Sequence, residues 1–112
     1  MGVSKETEEK IQKLQLLEQR LQNFLSQKQS FQVQLNEVES ALSELKGKKS
    51  AYKIIGNIMV DTGASELMKD LNQKKEMIEI RIKNLEKQEN KTKEEAKKLQ
   101  SEVLQVMQNK RE

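Results

Sequence analysis

The sequence predicts a mainly α-helical protein, an antiparallel two-helix coiled coil whose helices are joined by a central β-hairpin over residues 52–60. Apolar residues recur at steps of three and four along both halves of the 112-residue chain, as in coiled-coil helices. Between the halves lies a short stretch rich in β-branched side chains around a glycine. Because hydrophobic residues make up 34% and charged residues 35%, the apolar surface must be buried along helices rather than in a compact core.

The first helix is predicted over residues 4–46, within a single domain spanning residues 1–112. Ser4 is a candidate N-cap, and Gly47 suits the left-handed conformation that often follows a helix C-terminus. Lys28 is the polar insert in an otherwise apolar heptad seam. That seam runs through Leu14, Leu17, Leu21, Phe24, Phe31, Leu35, Val38, Leu42 and Leu45.

The predicted hairpin turns at Gly56-Asn57, a dipeptide of the glycine-first kind found in two-residue turns. This turn sets Ile55 opposite Ile58. The next pair outward is Ile54 with Met59. Both faces are then apolar, and because an isolated hairpin is marginal in water, we expect several chains to pool their hairpins into a larger sheet or a β-barrel body. The residues expected to drive this oligomerisation are Tyr52, Ile54, Ile55, Ile58, Met59 and Val60.

A turn at Asp61-Thr62-Gly63 and a second helix over residues 64–110 are predicted to follow. Because the hairpin reverses the chain, the two seams pair antiparallel and bring Lys28 within about one layer of Glu89. We expect these charges to neutralise each other, and the alternative is that each side chain reaches water independently. The second seam contains Met68, Leu71, Lys75, Ile78, Ile82, Leu85, Glu89, Thr92, Ala96, Leu99, Val103 and Val106.

The composition argues against several classes of function. The chain has no His and no Cys, so we expect no enzyme activity, no cofactor and no bound metal. Basic clusters occur, but acidic residues are interspersed and the net charge is only +3, which favours solvated helix faces over nucleic-acid binding. No apolar run approaches the length of a membrane span. We therefore expect a cytoplasmic protein without a membrane partner.

A surplus of apolar residues lies outside the seams near the two chain ends, which antiparallel pairing brings to one tip. Two interpretations stay open. One is a widened seam or a fraying end, and the other is a sticky surface that a partner covers. The surplus comprises Ile11, Leu16, Leu25, Leu104 and Met107.

The segment Tyr-Lys-Ile-Ile-Gly-Asn-Ile-Met-Val at Tyr52–Val60, set between two heptad helices, closely resembles the beta subunits of archaeal prefoldin. A single hairpin, rather than two, marks the beta class over the alpha class. The resemblance covers essentially the whole chain, and the hairpin is its most specific part. Further matching segments are Ser26-Gln27-Lys28-Gln29, Lys74-Lys75-Glu76 and Leu85-Glu86-Lys87-Gln88-Glu89.

The resemblance implies an ATP-independent molecular chaperone, a holdase subunit that captures unfolded client proteins with its coiled-coil tips and delivers them to a group II chaperonin. It also implies a hexamer of two alpha-class and four beta-class subunits whose hairpins form a double β-barrel. The alternative function is a structural coiled-coil adaptor that oligomerises through its hairpin. Client contact is expected at Ile11, Leu14, Leu16, Leu17, Leu99, Val103, Leu104, Val106 and Met107.

Overall fold

The computed structural model describes residues 4–111, which form two long helices joined by an antiparallel β-hairpin. In chain order the elements are α1 (Lys5–Leu45), β1 (Ser50–Ile55), β2 (Ile58–Gly63) and α2 (Ala64–Arg111). This architecture confirms the predicted fold class of the chain. Within the described residues, no helix is both long enough and apolar enough to cross a membrane.

Both ends of α1 carry the terminating residues that the sequence predicts. The backbone N–H of Thr7 donates a hydrogen bond to Ser4 Oγ at 3.2 Å, so Ser4 is the N-cap. At the other end Gly47 has a φ of +75°, a left-handed conformation that glycine adopts without strain. The Lys48 N–H donates to the Leu45 carbonyl at 3.1 Å and closes the turn.

The hairpin turn fixes which residues face each other across the strands. Gly56 has a φ of +61°, and no non-glycine residue in the described part of the chain has a positive φ. Only the first central residue of the turn is therefore left-handed, which is the type II′ geometry that suits the twist of paired strands. The register pairs Ile55 with Ile58 and Ile54 with Met59, as predicted.

The strands are longer than the sequence predicts. Asp61-Thr62-Gly63, predicted as a turn, continues β2 and pairs with Ser50–Tyr52 of β1. The predicted turn is wrong because a ladder continues where the opposite backbone offers hydrogen-bond partners, even through residues of low strand propensity such as Asp and Gly. α2 then begins at Ala64 without a connecting loop, and the Ala64 N–H donates to the Lys49 carbonyl at 3.3 Å.

Two compact units make up the chain. We call the described residues up to Lys28 and from Asn84 the terminal unit, and Gln29–Lys83 the hairpin unit. In both units the helices bury their heptad seams. The buried apolar side chains include Leu17, Leu85 and Val103 in the terminal unit and Val38, Ala64 and Ile78 in the hairpin unit. All of these except Ala64 are predicted seam positions.

Contacts between side chains show that α1 and α2 run antiparallel within each unit. In the terminal unit Lys10 lies 3.3 Å from Glu102, whereas Lys28, later on α1, lies 2.9 Å from the earlier Glu89. The same order occurs in the hairpin unit, where the contacts are Phe31 with Arg81 and Glu39 with Lys75.

Candidate functional site

The hairpin presents large apolar side chains on both of its faces. Each is between 41% and 69% exposed, and covering a large apolar side chain is worth about 1.5–3 kcal/mol. In a single chain, much of the free energy available from burying these side chains is therefore not gained. We call these residues the hairpin surface, which comprises Ile55, Ile58 and Val60 on one face and Tyr52, Ile54 and Met59 on the other.

Both edges of the hairpin are open, because the sheet of the described residues has only two strands. In a hairpin with a two-residue turn, the residues that flank the turn form a hydrogen-bonded pair, here Ile55 with Ile58. Strand alternation then directs the backbone N–H and C=O groups of Tyr52, Ile54 and Met59 outward. Unpaired edge groups of this kind are a template for strand addition by another chain.

Each face of the hairpin also carries one charged side chain, which was not predicted. Lys53 lies opposite Val60, and Asp61 lies opposite Tyr52. Successive side chains of a strand point to opposite faces, so counting outward from the turn assigns Lys53 to one face and Asp61 to the other. A neighbouring hairpin has to leave these two charges at the rim of the contact or pair them.

The polar insert in the seam of the terminal unit is a complete ion pair. Lys28 Nζ donates a hydrogen bond to Glu89 Oε1 at 2.9 Å, and Lys93 Nζ lies 3.7 Å from the same oxygen. The hydrogen bond from Lys28 lowers the pKa of Glu89 below its ordinary value, and its effect outweighs the opposing effect of burial. The predicted pairing is confirmed, and the two side chains do not reach water separately.

The nine residues predicted for client contact divide into three groups. Leu17 and Val103 are buried between the helices, at 1% and 8% exposure, and are accessible only where the helices part. These two side chains are part of the packed seam between the helices of the terminal unit. Ile11, Leu14, Leu99 and Val106 are partly buried. The remaining three are about half exposed, and we call them the exposed terminal residues: Leu16, Leu104 and Met107.

Further apolar side chains are exposed outside the predicted surfaces. Leu25, from the predicted apolar surplus, is about half exposed in the terminal unit. Val33, Met77 and Ile80 are similarly exposed in the hairpin unit and were not predicted. The sequence signal for all of them is an apolar residue at a position that the heptad seam does not use.

A groove of about 610 Å³ opens in the hairpin unit beside the end of α1. Lysine and apolar side chains contribute to its lining. No cluster of acidic residues suited to a metal ion occurs within the part of the chain that the structure describes. Because lysines line the groove, it suits an anionic ligand better than a cation.

Known proteins of one family share this architecture. A family model described as prefoldin subunit matches residues 8–110. The prefoldin subunit beta of Caldivirga maquilingensis is 34% identical over 100 residues, which cover 87% of this chain and 83% of the relative. Prefoldin subunit beta of Archaeoglobus fulgidus is 39% identical over 87 residues, which cover 75% of each chain. The crystal structure of the prefoldin beta subunit from Thermococcus strain KS-1 matches with a TM-score of 0.87 and 29% identity, over 94% of this chain and 95% of that chain. The chain therefore belongs to the prefoldin family, in its beta-subunit class, and is a chaperone subunit.

Proposed function

We propose that this chain is an ATP-independent holdase subunit that captures unfolded proteins through its terminal unit and passes them to a group II chaperonin in the cytoplasm. The observation that carries the proposal is the apolar exposure of that unit. Leu16, Leu104 and Met107 are about half exposed although the seam beside them is already packed. Apolar side chains that serve no internal packing favour contact with the apolar segments of a non-native chain.

The hairpin surface supports assembly of several chains through their strands, and the hexamer of two alpha-class and four beta-class subunits is the assembly that the family resemblance implies. The hairpin's apolar side chains and two open edges are satisfied when neighbouring hairpins add to one another and close into a barrel, because closure leaves no free edge. In this proposal the alpha-class subunits complete the barrels, and the terminal units stay available to clients.

Weak individual contacts suit a holdase. Three half-exposed side chains on one chain hold a client loosely. Several chains in one assembly raise the effective concentration and increase overall affinity by ~100-fold or more without any new contact. Because each contact stays weak, a client leaves without nucleotide hydrolysis when a chaperonin competes for the same apolar segments.

Replacement of the exposed terminal residues tests client capture. The variant Leu16→Ser/Leu104→Ser/Met107→Ser removes exposed apolar surface and leaves the buried seam intact. Light scattering of an aggregating client, measured without nucleotide, is expected to show protection by the wild-type assembly and loss of protection in this variant. Size-exclusion chromatography is expected to show an unchanged oligomer.

A matched control replaces three exposed apolar side chains of the hairpin unit instead. The variant Val33→Ser/Met77→Ser/Ile80→Ser changes three side chains of similar exposure and is expected to keep full protection. Equal protection by both variants would contradict client binding at the terminal unit. Absence of protection by the wild-type assembly would favour the structural adaptor instead.

Delivery to a chaperonin is tested separately from capture. A fluorescent client held by the assembly is mixed with a group II chaperonin, and the label is followed by size-exclusion chromatography. We expect the label to move to the chaperonin fraction. A label that stays with the assembly would refute delivery and leave client capture intact.

A further inference from the structure

The groove of about 610 Å³ in the hairpin unit combines apolar surface with ammonium groups. Leu45 and Met68 supply apolar lining, and the chain itself buries both only partly. Lys46, Lys48 and Lys69 also line it, and all three are exposed. We call this the basic groove. It shares no residue with the hairpin surface or with the exposed terminal residues.

The lining of the basic groove carries a net positive charge. None of its three lysines forms an ion pair with another described residue. Glu76 is the one carboxylate in the lining. Lys75, the residue before it, does not line the groove and is paired with Glu39 at 3.7 Å. Three cations against one anion leave a net positive groove, which attracts an anionic ligand.

We propose that the basic groove binds an acidic peptide segment of a partner protein. An apolar side chain of the segment rests on Leu45 and Met68, and its flanking carboxylates pair with the three lysines. Charge complementarity identifies the occupant as anionic, and the apolar lining identifies it as amphipathic. This site goes beyond the proposed holdase function, because the client surface lies in the terminal unit and is apolar.

Nucleic acid fits the basic groove less well than a peptide does. Proteins hold single-stranded nucleic acid with aromatic side chains on which the bases stack. None of Phe24, Phe31 and Tyr52, the aromatic residues of the chain, lines the groove. Leucine and methionine instead offer a surface for an aliphatic side chain.

The test uses the full-length chain in its native assembly and a fluorescein-labelled peptide of repeated Glu-Leu-Glu units, followed by fluorescence anisotropy. The variant Lys46→Glu/Lys48→Glu/Lys69→Glu is expected to weaken binding about tenfold or more, because three attractions become repulsions. The same positions changed to Arg are expected to keep wild-type affinity. Absence of binding to the wild-type assembly, or unchanged affinity in the Glu variant, overturns the proposal.

A control with the same change in net charge separates the groove from general electrostatics. The variant Lys91→Glu/Lys97→Glu/Lys98→Glu alters three exposed lysines of the terminal unit and is expected to change affinity by less than about twofold. An equal loss in this control overturns the groove as the binding site. So does equally tight binding of a peptide in which Ser replaces every Leu, because the apolar lining would then have no part in recognition.

Two further outcomes would assign the groove to another occupant. A labelled thymidine oligonucleotide that binds with the same dependence on Lys46, Lys48 and Lys69 would make it a nucleic-acid site. A lower native mass of the Glu variant, measured by light scattering, would make it an interface between subunits. Either result overturns the peptide proposal, which predicts no oligonucleotide binding at the groove and an unchanged native mass.

Discussion

Lys28 Nζ and Glu89 Oε1 lie 2.9 Å apart across the helix seam of the terminal unit, where the preceding seam position on α1 is Phe24. A charge pair at such a position loses more solvation than apolar residues of similar size would. It fixes the register in return, because sliding one helix by a heptad separates the two charges. The pair therefore favours one antiparallel alignment over its neighbours.

Replacement of the pair by leucine is expected to raise thermal stability. In Lys28→Leu/Glu89→Leu two apolar side chains complete the seam, so the Tm measured by circular dichroism rises. Glu89→Lys sets two ammonium groups against each other and lowers the Tm. Equal melting of the wild type and both variants would mean that the pair has no energetic role.

The lowered pKa of Glu89 makes the contribution of its carboxylate to the stability of the folded protein depend on pH. Because the pKa of the carboxyl is lower in the folded protein than in the unfolded chain, its contribution is fully present above the unfolded pKa and is lost as the pH falls through the folded pKa. The difference in Tm between the wild type and Glu89→Gln is thus expected to be largest near neutral pH and to shrink below about pH 4. Melting curves over this range check the prediction, and a difference that does not change with pH would contradict it.

Charges introduced next to the hairpin turn are expected to dissociate the assembly. Ile55→Lys/Ile58→Lys places two cations in the hairpin surface. A neighbouring hairpin could then bury this surface only by burying the two charges as well, which is unfavourable. Light scattering is expected to show monomers, and circular dichroism to show unchanged helix content. The control Val33→Lys/Ile80→Lys alters exposed helix positions and is expected to stay assembled. A double hairpin variant that still forms the full complex would refute assembly through the hairpin.

Adjacent leucines in α1 are expected to differ sharply in their contribution to stability. Leu17 is 1% exposed, so Leu17→Ala is expected to cost about 2–5 kcal/mol in the free energy of unfolding. Leu16 is 49% exposed, and Leu16→Ala is expected to cost less than about 1 kcal/mol. Chemical denaturation measures both values. Similar costs would mean that the buried and exposed sides of α1 are assigned incorrectly.

The hairpin turn is expected to be most stable with glycine at its first central position. A Cβ added at Gly56 meets nothing within 4 Å, so Gly56→Ala is disfavoured only by the left-handed backbone, at a cost of about 1–2 kcal/mol. Gly63 also has nothing within 4 Å of an added Cβ, and its φ is not left-handed. Gly63→Ala is therefore expected to leave the Tm nearly unchanged, and an equal loss in both variants would show that φ is not the cause.

Periodicity predicts the buried apolar residues of the helix pair other than Ala64, because burial in a helix pair follows from the spacing of apolar residues. Leu17 and Val103 were assigned to the seams in this way, and the Lys28–Glu89 pair followed from the reversal of the chain at the hairpin. The family resemblance also implies client contact at Leu17 and Val103, which lie near the chain ends. Both are buried between the helices, so client contact at these two residues requires the helices to part and stays a prediction.

The far ends of the strands and the basic groove were not predictable from local sequence. Asp61 and Gly63 have low strand propensity and become strand residues only because β1 lies opposite them. Lys46 follows the end of α1 whereas Lys69 lies in α2, so the two line one groove only after the chain has folded back on itself. Both features depend on contacts between distant residues, which heptad spacing does not encode.

The sheet is joined to its two helices by connections of unequal length. α2 follows β2 without an intervening residue, whereas α1 reaches β1 through Lys46–Lys49, in which Gly47 is left-handed. Because no residue lies between β2 and α2, the end of β2 directly sets the direction in which α2 starts. Four residues separate α1 from β1, so more backbone dihedrals lie between these two elements. A change in the orientation of the strands is therefore followed more closely by the start of α2 than by the end of α1.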